Sequence, residues 1–110
     1  MSEVADRGNL VYLNFNPQAG HEQTGSRSAI VISPESFNRI TGFAVVCPIT
    51  SVSKDYPFEV ALPDGLAIHG VILTDQIKSL DWKARKLNVV DEAPAETVQE
   101  CLEKIHTFIT

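Results

Sequence analysis

Residues 9–15, "NLVYLNF", decide the fold class, because their apolar side chains recur at every second position. Val11, Leu13 and Phe15 would lie on one face of an extended chain, with the residues between them on the other face. A period of two is typical of a β-strand. The run "NPQAG", residues 16–20, consists of turn-forming residues and ends the strand.

Further runs with the composition of β-strands follow along the chain. They are short and mostly rich in β-branched side chains, and "FEVAL" alternates like the first run. A single helical turn, "ESFN" at 35–38, is expected between two of them. The five predicted strands after the first are "AIVIS" (29–33), "FAVVCPI" (43–49), "FEVAL" (58–62), "VILTD" (71–75) and a short "KLNVV" (86–90).

Helical spacing is confined to the end of the chain. In residues 94–109, "PAETVQECLEKIHTFI", the apolar side chains fall on one stripe of a helix and the opposite face is mostly Glu and Gln. Short strands followed by one helix predict a small, strongly bent antiparallel sheet or open barrel with a C-terminal α-helix. The length of 110 residues predicts a single domain over residues 1–110.

Charge is distributed unevenly along the chain. The net charge is −5, but five acidic residues against one lysine fall in residues 91–110, so that segment carries most of it. Residues 78–86, "KSLDWKARK", gather four basic side chains against one aspartate, which allows a local basic surface as readily as a solvated charged segment. No apolar run is long enough for a membrane span and no secretory signal is present, so we expect a cytoplasmic protein.

The cysteines and histidines do not form a metal-binding pattern. Cys47 lies in an apolar run and Cys101 on the apolar stripe of the helix, so both are expected in the core. The three histidines, His21, His69 and His106, are far apart and lack a second ligand at short spacing. We therefore predict no metal and no cofactor, and we expect His69 and His106 on the surface.

Polar side chains cluster where three of the predicted strands begin or end. Glu22 and Arg27 precede the second strand, residues 50–54 ("TSVSK") follow the third, and residues 74–78 ("TDQIK") follow the fifth. A guanidinium suits a phosphate, hydroxyls can donate to its oxygens, and a carboxylate can take a proton from a sugar hydroxyl. This set is sufficient for RNA cleavage by the substrate's own 2′-hydroxyl, although a binding module with an SH3-like fold would show a similar pattern.

Three longer motifs resemble one known family. "GNLVYLNFNPQAGHEQTGSRSAIVISP" (8–34), "CPITSVSKDYPFEVAL" (47–62) and "GVILTDQIKSLDWKAR" (70–85) resemble, in order and spacing, the motifs of the MazF toxins in the MazF/PemK (Kid) group. The resemblance extends over nearly the whole chain and outweighs the compositional arguments.

The resemblance implies an SH3-like open barrel of five to six antiparallel strands, shared with the CcdB toxins. It implies a sequence-specific, ribosome-independent mRNA interferase that uses no metal and leaves a 2′,3′-cyclic phosphate and a 5′-hydroxyl. It also implies a homodimer, and a MazE-like antitoxin as protein partner with which larger toxin–antitoxin assemblies form.

The resemblance also assigns roles to particular residues. Arg27 falls on the catalytic arginine of the family, Thr50 on the catalytic threonine, and Glu22 on a loop glutamate associated with substrate binding or proton transfer. We prefer Arg27 as a stabiliser of phosphate charge rather than as a proton shuttle, since arginine keeps its proton at neutral pH. The positions expected to bind RNA are Ser51, Lys54, Asp75, Gln76 and Lys78.

The sequence departs from the family pattern at two places. Ser28 replaces the proline that commonly follows the catalytic arginine, and Leu73 replaces an arginine of the PemK/Kid branch, which favours the MazF-type assignment. Two other functions share the fold: a topoisomerase poison like CcdB and an inactive antitoxin-binding barrel. The ending "HTFIT" lacks the Trp-Gly-Ile type of tail that the first requires, and the presence of Arg27 with Thr50 argues against the second.

Overall fold

The computed structural model describes residues 4–15 and 26–109, which form one antiparallel sheet with two helices. The strands are β1 (Asn9–Asn14), β2 (Ser26–Val31), β3 (Phe43–Thr50), β4 (Glu59–Ala61), β5 (Val71–Leu73), β6 (Lys78–Asp81) and β7 (Asn88–Glu92). The helices are α1 (Glu35–Thr41) and α2 (Ala95–His106), and a 3-10 turn spans Thr74–Gln76. The expected class, mostly β with a C-terminal α-helix, is confirmed.

The sheet is organised around β3. Its order is β4-β5-β3-β2-β1-β7, and β6 pairs with β3 beside this path. One edge of β3 pairs with β2, while the other edge is shared between β6 along residues 43–46 and β5 along residues 49–50. Along that edge, the amino-terminal half of β3 pairs with β6 and the carboxyl end of β3 pairs with β5. Thr50, the last residue of β3, therefore lies beside β5.

Both faces of the central strands are buried, which explains their continuous apolar runs. Alternate residues point to two separate cores: Leu10, Ile30 and Cys47 lie in the first, and Val11 with Val46 in the second. Helix α2 covers the first core with buried Cys101 and Ile105. The second core also contains Leu13, Ala29, Val31, Ala44 and Leu80, with Trp82 packed against it.

The two cysteines are free and buried, as expected for core residues. Burial raises the pKa of the Cys47 thiol to about 12, and it raises the pKa of Cys101 to about 12 as well. Neither thiol is therefore a nucleophile at neutral pH, since the thiolate is the reactive form.

Several boundaries differ from the sequence-based expectation. The strand β6 is not among the predicted strands, so the described sheet has seven short strands instead of five to six. Only Leu80 of β6 is buried, and a lone apolar residue among polar neighbours gives no alternating pattern. Strand β5 ends at Leu73, two residues before the predicted end at Asp75. Helix α1 continues to Thr41, three residues beyond the predicted turn, and is followed by Gly42 with a left-handed φ of 77°. None of the helices in the described ranges is long and apolar enough to cross a membrane.

Candidate functional site

Arg27 and Thr50 face each other at the end of the β2–β3 ladder. Ala29 pairs with Pro48 in that ladder, so the same register continued by two residues sets Arg27 opposite Thr50. Side chains alternate along each strand, so Arg27 lies on the same face as Ala29, and Thr50 on the same face as Val46. Ala29 and Val46 both belong to the second core. The Arg27 and Thr50 side chains thus continue the stripe of the second core toward the end of the sheet.

An open cavity of about 520 Å³ lies beside this pair, and we call it the arginine pocket. It is bounded by the ends of β2 and β3, by one residue of β1 and by the loop that precedes β5. Its described lining consists of Tyr12, Ser26, Arg27, Ser28, Ile49, Thr50, Ser51, Ala67, Ile68 and His69.

The donors of Arg27 and Thr50 are available to a ligand. Arg27 is exposed, and among the described residues its guanidinium has no ion-pair partner. The Thr50 hydroxyl oxygen accepts a hydrogen bond of 3.3 Å from the backbone N–H of Val52, which leaves its own proton free to donate. A guanidinium and a hydroxyl from residues that line one cavity can bind the oxygens of a phosphate.

The loop before β5 is pressed against the end of β3. Val71 pairs with Thr50, and Gly70 has a φ of +128°. A Cβ added at Gly70 would lie 2.2 Å from the Thr50 carbonyl oxygen, so only glycine allows this approach. The close contact brings His69, the neighbour of Gly70, into the arginine pocket.

A second cavity of about 470 Å³ begins at Thr50 and extends away from Arg27. We call it the tyrosine groove. Thr50 lines both cavities, so they adjoin at this residue. The described lining of the tyrosine groove is Thr50, Val52, Lys54, Tyr56, Glu59, Leu73, Asp75 and Gln76.

Hydrogen bonds fix the polar side chains of the tyrosine groove. The Tyr56 hydroxyl donates to Oδ2 of Asp75 at 3.0 Å, and this bond raises the pKa of Tyr56. Glu59 accepts from the backbone N–H of Lys54 at 3.0 Å and from the Ser53 hydroxyl at 2.9 Å. The bond from Lys54 is the main reason why the pKa of Glu59 is lowered, so Glu59 is ionised at neutral pH.

The structure brings most of the predicted site residues to these two cavities. Ser51 lines the arginine pocket, and Lys54, Asp75 and Gln76 line the tyrosine groove. Glu22, the third residue predicted to be catalytic, lies outside the described residues, as does His21.

Lys78 lines neither cavity. Its ammonium lies 5.5 Å from the centre of the Phe15 ring, where β1 ends. Arg85 from the same basic segment donates to the backbone carbonyls of Asn14 and Phe15 at 3.1 and 3.0 Å. These two basic side chains therefore contact the end of β1.

Four titratable residues that line the cavities are not among the predicted site residues. Tyr12, Tyr56 and Glu59 line the cavities, and the last two lie within the motif "DYPFEV" that the sequence displays. His69 is exposed, as expected, but it also lines the arginine pocket. The dipeptide His-Gly directly before a predicted strand is the signal that could have pointed to it.

Comparison with known proteins shows what this chain resembles. A family model described as PemK-like, MazF-like toxin of type II toxin–antitoxin system matches residues 6–109. The chain is 42% identical over 106 residues to the endoribonuclease toxin MazF of Escherichia coli (strain K12), a match that covers 96% of this chain and 95% of that protein.

Solved structures agree with this similarity. The crystal structure of MazF from Deinococcus radiodurans matches with a TM-score of 0.89 and 48% identity over 98% of each chain. A MazE–MazF crystal structure from the same organism matches with a TM-score of 0.88 and 42% identity, over 98% of this chain and 97% of that one. The resemblance inferred from the three motifs is therefore confirmed, and the chain belongs to the PemK-like, MazF-like toxins of type II toxin–antitoxin systems.

Proposed function

We propose that this toxin is a sequence-specific, ribosome-independent endoribonuclease that cuts single-stranded mRNA with Arg27 and Thr50 at the scissile phosphate. The observation that carries the proposal is the placement of these two side chains in one open pocket with their donors unoccupied by described residues. The names of the relatives, endoribonuclease toxin MazF and endoribonuclease PemK, support the same activity.

The chemistry follows from the residue types. The 2′-oxygen of the RNA attacks the adjacent phosphorus, and the bond from phosphorus to the 5′-oxygen breaks. The leaving 5′-oxygen takes up a proton from an acid or from water, so that a 2′,3′-cyclic phosphate and a 5′-hydroxyl result. Arg27 stabilises the charge that develops on the phosphoryl oxygens, and the Thr50 hydroxyl donates to one of them. The 2′-proton passes to Glu22 or to water. This reaction requires neither a metal nor a cofactor.

The tyrosine groove is proposed to hold the nucleotides beside the cut. Its walls supply an aromatic ring from Tyr56, a cation from Lys54, and acceptors and donors from Asp75 and Gln76. Aromatic rings stack on bases, and amide or carboxylate groups read base edges. We assign phosphate binding to Ser51 and Lys54 and base recognition to Asp75 with Gln76. Lys78 would bind RNA only where the strand passes the end of β1.

We further propose a cytoplasmic homodimer that is inhibited by a MazE-like antitoxin and joins it in larger assemblies. The MazE–MazF structures of Deinococcus radiodurans support the antitoxin as partner, since they match this chain over nearly its whole length. Light scattering of the purified protein, alone and with its antitoxin, measures both associations.

Primer extension across a long RNA tests the activity. The pure protein is incubated with the RNA in EDTA, and every cut is mapped; an Arg27→Ala variant purified in parallel controls for contaminating nuclease. We expect cuts at a short recurring sequence, and none in an RNA whose 2′-hydroxyl at the cut is replaced by hydrogen. Intact RNA at a large enzyme excess would remove the proposed function and leave a protein-binding role on the same fold.

A further inference from the structure

The position of His69 is fixed by its neighbours on both sides. Ile68 is buried in the first core, and Gly70 is held against the backbone of Thr50. One residue earlier, the backbone N–H of Ala67 donates to Oδ2 of Asp91 on β7 at 2.8 Å. The loop is thus anchored at three points around His69, although its imidazole is exposed to the cavity.

The imidazole is also free to bind a substrate. Within residues 4–15 and 26–109, none of the hydrogen bonds and ion pairs involves the His69 side chain. A histidine on an anchored backbone, with no hydrogen-bond or ion-pair partner among the described residues and in the same pocket as Arg27 and Thr50, is available for chemistry.

The reaction needs a proton donor that the other pocket residues do not provide. The departing 5′-oxygen must gain a proton, because an alkoxide is a poor leaving group. Among the described residues lining the arginine pocket, only Tyr12, Arg27 and His69 are titratable. Guanidinium and phenol groups hold their protons too tightly at neutral pH, whereas imidazole exchanges its proton between about pH 5 and 8.

The carboxylates of the neighbouring groove do not fill this role. Glu59 has a lowered pKa and is ionised, and Asp75 already accepts the hydrogen bond of Tyr56. Both carboxylates line the tyrosine groove rather than the arginine pocket.

We propose that His69 is a catalytic residue, the general acid of the cleavage reaction. Its imidazolium donates a proton to the 5′-oxygen while the bond from that oxygen to phosphorus breaks and the bond from the 2′-oxygen forms. The imidazole is left neutral, the 2′-proton has gone to the base, and the two proton transfers balance. This inference rests on the proposed endoribonuclease activity and adds a residue to it.

The assignment gives the pH dependence a direction. A general acid must be protonated, so the rate should fall as pH rises through the titration of the imidazole. The charged and titratable groups on the elements around this loop are Arg27 on β2, Tyr12 on β1, Asp91 and Glu92 on β7, and Asp64 within the loop itself.

A substrate with a modified leaving group tests the proposal. Two short RNAs share one cut site, with oxygen or sulfur bridging phosphorus to the 5′-carbon; a thiolate leaves without protonation. For His69→Gln we expect a loss of about 100-fold on the oxygen substrate and a rate within about threefold of wild type on the sulfur substrate. In His69→Gln, the fall in the cleavage rate at alkaline pH should also disappear. His106→Gln, at an exposed histidine on α2, serves as the matched control and should change neither rate.

The outcomes separate this inference from the proposed function. If wild type cuts RNA and His69→Gln keeps its rate on the oxygen substrate, His69 is not the acid, and the endoribonuclease stands. If the variant is equally slow on both substrates, His69 only shapes the pocket and the proposal is overturned. If wild type cuts neither substrate, the endoribonuclease activity fails and this role fails with it.

Discussion

At the scale of single residues, Arg27 and Thr50 differ in how much charge each would stabilise. Loss of one preorganised donor to a developing oxyanion costs on the order of 100-fold in rate. We therefore expect Arg27→Ala to lower kcat/KM by about 100-fold or more, with Thr50→Ala comparable or somewhat milder. Single-turnover cleavage of a short RNA measures both variants.

Matched variants make this prediction specific. Arg39→Ala removes an exposed arginine on α1 that pairs with Glu35 and lines neither cavity, so its rate should equal that of wild type. Thr50→Ser keeps the hydroxyl and should retain most of the activity. Cleavage by Arg27→Ala at the rate of Arg39→Ala would contradict the role given to the guanidinium.

Polar clusters at strand ends and the family resemblance predicted Arg27 and Thr50 from the sequence, and the β2–β3 register, continued by two residues, sets them opposite each other. Tyr56 and His69 could not be placed in the same way. Each comes from a loop whose path depends on distant contacts: Tyr56 on its bond to Asp75, and His69 on the burial of Ile68 and the approach of Gly70 to Thr50. Local patterns do not encode such contacts.

At the scale of elements, the entry into β5 holds the end of β3 in place. We expect Gly70→Ala to destabilise the fold by about 1–3 kcal/mol, since alanine adds strain at a positive φ and its Cβ would collide with the Thr50 carbonyl. Cleavage should fall about tenfold or more, because Thr50 must move. Urea unfolding and cleavage rates measure the two effects.

A second glycine separates backbone strain from collision. Gly65 has a φ of +95°, but it faces open space, with no atom within 4 Å of an added Cβ. Gly65→Ala should therefore cost about 1 kcal/mol of stability and leave cleavage unchanged. Equal losses of activity in both variants would show that the contact with Thr50 is not what matters.

Helix α1 is tied to the sheet by a buried side chain. Asn38 donates to the backbone carbonyls of Ala5 and Ser33 at 2.8 and 3.1 Å and accepts from the Ser33 hydroxyl. Its own backbone carbonyl accepts from the indole N–H of Trp82 at 2.8 Å. These bonds explain why α1 continues past the predicted turn, and their long range explains why the sequence did not show it.

Asn38→Ala should lower the free energy of unfolding by about 3 kcal/mol, because it leaves buried polar groups of Ala5 and Ser33 without partners. Ser36→Ala, at an exposed position of the same helix, should stay within about 0.5 kcal/mol of wild type. Urea unfolding at one protein concentration measures both. A loss of less than about 1 kcal/mol in Asn38→Ala would contradict this account of the network.

At the scale of the whole molecule, an acidic protein has to hold a polyanion. The acidic side chains Glu96, Glu100 and Glu103 lie exposed on α2, and no residue of α2 is among the described lining of either cavity. The charge division inferred from the sequence thus corresponds to a division in space. Arg27 and Lys54 line the proposed RNA path, so binding can proceed despite the net charge of −5.

RNA affinity should therefore depend only moderately on salt. Arg27 and Lys54 line the two cavities, and Lys78 lies where the RNA strand would pass the end of β1. With these roughly three phosphate contacts and about 0.7 per contact on a single strand, the slope of log affinity against log salt should be near −2. Lys54→Ala should make this slope shallower by about 0.7 and weaken the binding of all RNA sequences alike, while Gln76→Ala should change which sites are cut.

Lys83→Ala serves as the matched control for Lys54→Ala. It removes the same charge from a lysine that lies over Trp82 and lines neither cavity, so its salt slope should match that of wild type. Titrations of an uncleavable RNA at several salt concentrations measure these slopes. A wild-type slope of roughly −5, or equal shifts in Lys54→Ala and Lys83→Ala, would show that RNA senses the overall field of the protein rather than contacts along the two cavities.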